Sequence, residues 1–399
     1  MEVTFHDKVT NVWCLSSTCS NVEKSSIDDR WYSLLSVPMA KYNDYIIIFG
    51  EKSGDFIEHC MRKYKINPLH LVFTPALENN MNEDIYNHTI FRISQKLSKY
   101  KKVNLIPRRI DGPFLKWAST LRLLIPMTKI TFSGDSMDWQ NVFGNKSILH
   151  SRVSSTSKSI WEHFFPEIKA PNGFLCHNED ELLEAWDRLN VQSVVLKPLN
   201  GSGGRGIEYA NSLRELKKYK FETPICMEEN LNKKYKKLVH YSTCYDGTKF
   251  MGKPALQIFD KNNLWIGSRS CKTEWGDRLV VLTNKITKKI RPRGYGGFDF
   301  CVADDKYIYI LDVNTGRFTG SHYPNLYMRQ NYINGYYVYA TVYRDSFIEL
   351  QEKLDNLGIS YAILAFLNKK GSVLLYDDSY EKTCKAYSEL TSKGRSTKF

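Results

Sequence analysis

The sequence predicts a multidomain chain that joins an α/β unit to α+β regions. Two patterns and the chain length lead there. In the first third, short β-branched runs alternate with stretches of helical spacing, the signature of an open parallel sheet with helices between its strands. From Pro224 to Asp312, short apolar runs are divided by turn residues, which reads mostly as antiparallel sheet. The 399 residues exceed one ordinary core and suggest about two or three domains.

Residues 45–49 form a β-branched run that ends at Gly50, 56–64 have helical spacing, and 69–73 and 103–106 read as further strands. The stretch Thr131-Phe-Ser-Gly134-Asp-Ser looks like the end of this unit. A second unit begins near Asn141, with helices predicted over 159–165 and 179–189. Asn178 is placed to cap the latter, and acidic residues fill its first turn. Strands are predicted at 194–198, 207–209, 225–227, 238–245, 255–259, 264–267, 298–302 and 307–311, with Asp246-Gly247 a strong turn signal. Beyond Tyr327 come helices and a small α/β unit, with strands over 361–367 and 372–376 and a helix over 380–390.

Composition narrows the function classes. Hydrophobic residues make up 42% and charged residues 25%, which is globular. The nine cysteines are odd in number and form no Cys-x-x-Cys pair, so neither a disulfide framework nor a zinc site is indicated. The N-terminus lacks the basic-then-apolar pattern of a signal peptide, and no apolar run approaches the length of a membrane span. A cytoplasmic protein without membrane association is therefore expected. The net charge of +13 favours acidic partners. Nucleic acid is not favoured, because no aromatic-basic motif accompanies the charge.

Residues 201–206 read Gly-Ser-Gly-Gly-Arg-Gly. This satisfies the dinucleotide pattern Gly-x-Gly-x-x-Gly, but strand-like Ile207-Glu-Tyr-Ala follows where a helix should start. Strand, glycine loop, strand is a different phosphate device: a hairpin tip that offers backbone N–H groups to a triphosphate. Gly201, Ser202, Gly203 and Gly204 are the candidates within it. Lys197 lies in the apolar strand just before the loop and needs an anionic partner or a route to solvent. Lys146, in Gly-Asn-Lys-Ser, is a second candidate phosphate ligand.

The most specific feature is Gly-Gly-Phe-Asp299-Phe followed by Ile-Leu-Asp312-Val-Asn314. Asp312 and Asn314 alternate with apolar residues and so share one strand face. If the two strands pair through the turn at Asp304-Asp305, Asp299 lies across from them. Three oxygen-bearing side chains then converge, a set suited to Mg²⁺. Arg291, Arg293 and Arg317 are close in sequence and are candidates to neutralise a transferred phosphoryl group and an oxyanion.

Taken in this order, the motifs resemble the ATP-grasp superfamily: Lys146, Lys197 before the glycine loop, the acidic hinge Met227-Glu228-Glu229-Asn230, then Phe-Asp299-Phe and Asp312-Val-Asn314-Thr in place of the family's Glu-x-Asn. The resemblance covers about residues 140–330. It implies a Rossmann-like pre-ATP-grasp domain over 1–140, the ATP-grasp domain over 141–330 and a small C-terminal α/β unit over 331–399. The segments from Gly294 to Pro324 and from Gly358 look like those of the pheganomycin-type peptide ligases and the carrier-protein ligase of butirosin synthesis. The family's pattern has one residue fewer between Asn314 and Arg317. No ribose-binding acid stands after the hinge, where Lys233 to Lys237 are found.

The resemblance implies ATP and Mg²⁺ as cofactors and an acyl phosphate attacked by an amine. Asp299, Asp312 and Asn314 would hold the metal, and Lys146 and Lys197 the phosphates. Glu228, Glu229 and Asn230 would face the nucleotide. The implied substrate is an amino acid or peptide. An acidic carrier protein, whose thiol would accept the acyl group, is the alternative partner, and a non-catalytic nucleotide-binding regulator on the same fold is a second alternative. Oligomeric state is not readable from the sequence.

Overall fold

The computed structural model describes residues 9–14, 26–49, 54–74, 83–108, 110, 112–132, 159–199, 204, 206–220 and 224–392. Its first unit is a sheet of β1 (Thr10–Cys14), β2 (Tyr45–Phe49), β3 (Leu71–Thr74), β4 (Lys102–Pro107) and β5 (Lys129–Phe132) in the order β3-β2-β1-β4-β5. Every pairing is parallel, as the alternation of strands and helices predicts. The run Tyr45–Phe49 is buried at Ile46, Ile47 and Ile48, as expected for a strand covered by helices on both faces. The part of Thr131–Ser136 beyond Phe132 lies outside the described residues.

After helix Ile160–Phe164 come β6 (Ile168–Lys169), β7 (Gly173–Cys176), β8 (Val194–Pro198), β9 (Glu208–Ala210) and β10 (Ile225–Glu229). Helix Ile160–Phe164 starts with a capping box between Ser159 and Glu162. Helix Glu179–Leu189 starts at Asn178, whose side chain accepts from the Glu181 N–H, as the sequence predicts. A four-stranded antiparallel sheet forms in the order β7-β10-β8-β9. The glycine segment lies between the antiparallel partners β8 and β9, and strand β9, not a dinucleotide-type helix, follows it.

The third sheet is built from β11 (Leu238–Asp246), β12 (Lys249–Phe259), β13 (Trp265–Ser270), β14 (Tyr295–Ala303), β15 (Tyr307–Asn314), β16 (Tyr336–Tyr343), β17 (Ser360–Leu367) and β18 (Lys370–Asp377). With β6 it makes a nine-stranded sheet, order β17-β18-β16-β13-β12-β11-β14-β15-β6. The strands of 331–399 thus extend this sheet rather than forming one of their own. Helix Glu274–Ile290 covers part of it, burying Leu279, Leu282, Ile286 and Ile290 at helical spacing. Each such side chain contributes about 1.5–3 kcal/mol. Trp13, Trp31 and Leu34 of the first unit share a core with Tyr337, Leu364 and Leu374. That shared core fixes the first unit against the C-terminal strands. No described helix is long and apolar enough to cross a membrane.

On the same face of the third sheet as Asp299, His322 is fully buried beside Gly297 and fastens the segment after β15 to the start of β14. The Thr319 N–H donates to Nδ1 at 2.8 Å, and Nε2 lies 2.8 Å from the Gly296 carbonyl. Nδ1 is therefore the acceptor and Nε2 carries the proton, so the ring is neutral. Burial is the main cause that lowers its pKa from 6.5 to about 4, with Arg317 and Arg329 adding to it. Burial likewise lowers His59 and His240 to about 4. The unfolded chain protonates these rings first, so their contribution to stability is complete above about pH 6.5 and is lost as pH falls towards 4. Denaturant midpoints measured across pH should stay level above neutrality and decline between about pH 6.5 and 4. A level midpoint across that window would contradict the buried, neutral state of the rings.

Candidate active site

The second and third sheets face each other across a cleft of about 550 Å³. Its walls come from Val195 and Lys197 on β8, from Glu228 to Leu231 at the end of β10, and from β11, β12, β14 and β15. Gly204 caps it from the loop side, with φ +83°. A Cβ at this glycine would lie 2.9 Å from the Asn263 carbonyl oxygen in the β12–β13 turn. Only glycine lets the loop backbone approach that turn so closely while holding a left-handed conformation.

Lys197 is in close contact with Glu228, one strand away in the same sheet. Burial opposes the lysine's charge, but the charge and hydrogen bond of Glu228, together with the charge of Asp312, outweigh it and raise its pKa. Lys197 therefore stays an ammonium pointing into the cleft between acids of both sheets. Glu229 accepts from the Asn172 N–H at 3.0 Å and pairs with Lys234 at 2.8 Å. Asn230 caps the short helix Leu231–Lys234 and donates to Ser193 Oγ at 3.0 Å. All three hinge residues line the cleft, but the side chains of Glu229 and Asn230 are engaged in holding the hinge.

On the opposite wall, Asp299 and Asp312 are Cα partners across β14 and β15, and Gly297 faces Asn314. A register shift between Asp299 and Phe300 lets the two carboxylates share one face. Gln257 donates to Asp299 Oδ1 at 2.7 Å and Asn314 Nδ2 donates to Oδ2 at 3.2 Å. Arg317 donates from Nε to Asn314 Oδ1 at 2.6 Å and lies 3.5 Å from Asp312 Oδ2. Burial first, and then the charge of Asp312, push Asp299 up to about 7, against the opposing pull of Ser242, Arg317 and Asn314. Two carboxylates crowded this way favour a cation between them. Among the described residues no group of three or more His, Cys, Asp or Glu side chains forms a metal site. The set here is two carboxylates and an amide, hard oxygen donors that fit Mg²⁺. For Asn314 to offer its oxygen, Arg317 has to release it. Asp304 and Asp305, by contrast, hold the β14–β15 turn: Asp304 accepts from the Lys237 N–H and Asp305 pairs with the Lys237 ammonium.

Arg291 and Arg293 are not brought to this cleft. Arg291 ends helix Glu274–Ile290 in a left-handed conformation, with its N–H on the Thr287 carbonyl. Both arginines are exposed. Asp299 lies four residues beyond the start of β14 at Tyr295, about 13 Å along an extended strand, so closeness in sequence does not place them at the metal set. Lys146, Gly201, Ser202 and Gly203 lie outside the described residues.

Several lining residues carry no motif. Ser242, Gln257 and His240 come from β11 and β12, and Trp31, Tyr32 and Arg108 from the first unit. Arg108 follows β4, and its carbonyl accepts from the Phe318 N–H at 2.8 Å. Arg108 is the one of these with a general signal, because ligands gather at the carboxyl ends of parallel strands.

Solved structures share this overall fold along nearly the whole chain. An ADP complex of N5-carboxyaminoimidazole ribonucleotide synthetase aligns over 97% of this chain and 97% of its own, with a TM-score of 0.61 and 13% identity. The chain has the ATP-grasp fold. A β-γ-ATP complex of biotin carboxylase from Campylobacter jejuni aligns over 96% of this chain and 90% of its own, at TM-score 0.60 and 13% identity. N5-carboxyaminoimidazole synthase from Aspergillus clavatus, in complex with ADP and 5-aminoimidazole ribonucleotide, aligns over 97% and 98%, at TM-score 0.60 and 9% identity. No protein-family model and no curated protein matches the sequence. At these identities the likeness establishes the ATP-grasp fold, and the functional reading rests on the residues of the cleft.

Within this ATP-grasp cleft the Lys197–Glu228 pair is the most exposed to a charge change. Removing one partner leaves the other charge buried, at a cost of about 3–5 kcal/mol. Lys197→Met should therefore lower stability by about that amount, and adding Glu228→Gln should recover much of it. Chemical denaturation of the two variants checks this. Equal stability of the single and double variants would mean that the two charges are not coupled.

Proposed function

We propose that the chain is an ATP-dependent ligase that activates a carboxylate as an acyl phosphate and joins it to an amine. The observation that carries this reading is the placement of Lys197 on one wall of the cleft and Asp299, Asp312 and Asn314 on the other. A phosphoryl group needs cationic partners, which Lys197 gives on one wall and which the oxygen donors of the other wall would give by holding a metal ion. The division near residues 140 and 330 belongs to the same proposal, as do a glycine loop that covers the phosphates and a Lys146 that adds a second ammonium. The substrate class is an amino acid or peptide.

In this reading Lys197 binds phosphate oxygens and exchanges part of its contact with Glu228 for them. Val195, Leu231 and Leu311 give the apolar surface for the base of the nucleotide. Asp299, Asp312 and Asn314 would hold Mg²⁺, which would supply positive charge next to the phosphate oxygens. A carboxylate oxygen of the substrate attacks the γ-phosphorus, and the bond to the β–γ bridging oxygen breaks to give ADP. The amine nitrogen then attacks the acyl carbon, phosphate leaves with the former carboxylate oxygen, and the nitrogen loses a proton. Arg317 is positioned to stabilise the oxyanion of that step. Catalysis is then mainly positioning and charge neutralisation, with no covalent enzyme intermediate.

Turnover should release ADP and phosphate, and hydroxylamine supplied in place of the amine should yield a hydroxamate. AMP and pyrophosphate as the main products would remove the acyl-phosphate mechanism. Asp312→Asn removes a metal carboxylate at nearly constant volume and should lower kcat by about 100-fold or more. Asp305→Asn, in the turn, should change kcat less than about twofold. Equal kcat in the two variants would show that Asp312 is not part of the metal set.

A further inference from the structure

The charges lining the cleft are divided among its walls. Its acidic side chains are Glu228, Glu229, Asp299 and Asp312, all on the walls formed by β10, β14 and β15. Besides Lys197 and Arg317 the described lining holds two more cations, Arg108 and Lys370, and no further acid. The Arg108 guanidinium lies 3.4 Å from the centre of the Tyr32 ring, and the Lys370 ammonium 4.4 Å from that of Trp31. Arg108 forms no ion pair among the described residues. An aromatic face steadies a guanidinium without using its in-plane donors, so the fork of Arg108 keeps its capacity for an oxyanion.

A second observation comes from Tyr323. It is 2% exposed, lines the same end of the cleft, and its hydroxyl has no hydrogen-bond partner among the described residues. Arg108 is near enough to act on that hydroxyl, pulling its pKa down against the larger opposing effect of burial, although no hydrogen bond of ordinary geometry joins them. A buried hydroxyl without a partner beside an unpaired guanidinium is an incomplete anion site. The main chain fixes its distance from the reacting end, because the Arg108 carbonyl accepts from Phe318, the neighbour of Arg317.

We propose that the acid taken by this site carries a second oxyanion, a carboxylate or a phosphate, read by Arg108 with the Tyr323 hydroxyl, and that Lys370 adds a less specific attraction. This rests on the ligase reading above and names its substrate class: an acid with two anionic ends, the reacting carboxylate at Arg317 and the second group at Arg108. The flat walls of Trp31 and Tyr32 would flank the segment between them.

The test uses the full chain loaded with Mg²⁺ and a non-hydrolysable ATP analogue. Calorimetric titration follows the binding of L-glutamate against L-glutamine, and of O-phospho-L-serine against L-serine. At least one doubly anionic member should bind about tenfold or more tightly than its neutral counterpart, and whichever pair discriminates identifies a carboxylate or a phosphate as the second group. Arg108→Gln should reduce that preference to about twofold or less, and Arg108→Lys should restore only part of it. Binding without preference for charge, binding of none of the four, or a preference unchanged in Arg108→Gln would each overturn the proposal. Failure of the analogue itself to bind would instead count against the ligase reading, so the two failures are distinguishable.

Discussion

The site is organised by two carboxylates held opposite each other inside the protein. Asp299 and Asp312 are fixed as partners by the β14–β15 register, and the mutual repulsion of such a pair has to be relieved by a proton or a cation. The structure supplies partial relief through Arg317, Gln257 and Asn314. The side chains around the pair are polar or cationic because of this demand, and the facing wall carries an ammonium that senses Asp312 across the cleft. The β14–β15 turn, the Lys237 contacts that secure it and the neutral His322 beside Gly297 all keep the two acids in register.

The facing wall has the complementary problem. An ammonium on an apolar strand is tolerable only when paired, and Lys197 uses Glu228 for this purpose. A pair of this kind adds little net stability, but it places a positive charge where a phosphate would lie. The hinge is braced by its own polar side chains, with Glu229 on Lys234 and Asn230 on Ser193. Recognition of a base there would therefore fall to backbone groups and apolar surface.

What could be read in the sequence is what local chemistry dictates. The strand–glycine–strand hairpin, the Asn178 cap, the parallel first sheet and the Asp304–Asp305 turn follow from periodicity and turn residues. The β14–β15 hairpin itself follows from its short turn, but hairpin spacing alone would set Asp299 opposite Leu311, and it takes the register shift between Asp299 and Phe300 to bring Asp312 across from it. What could not be read depends on long-range topology. Arg108, Tyr32 and Gln257 reach the cleft only once the first sheet is docked and β12 is seated beside β11. The merging of the C-terminal strands into the large sheet depends on β16 pairing with β13, and no local signal announces that. Arg291 and Arg293 are the converse: close to Asp299 in sequence, yet directed away by a helix end and half a strand.

The most direct test of the account is whether nucleotide lies between the two sheets. Amide hydrogen exchange with and without Mg²⁺ and ADP reports this without a known acid substrate. The account predicts added protection over β8 and β9, the hinge after β10, and the β14–β15 pair, lost when the metal is omitted. Protection confined to the parallel first sheet, or none at saturating nucleotide, would contradict the assignment of this cleft.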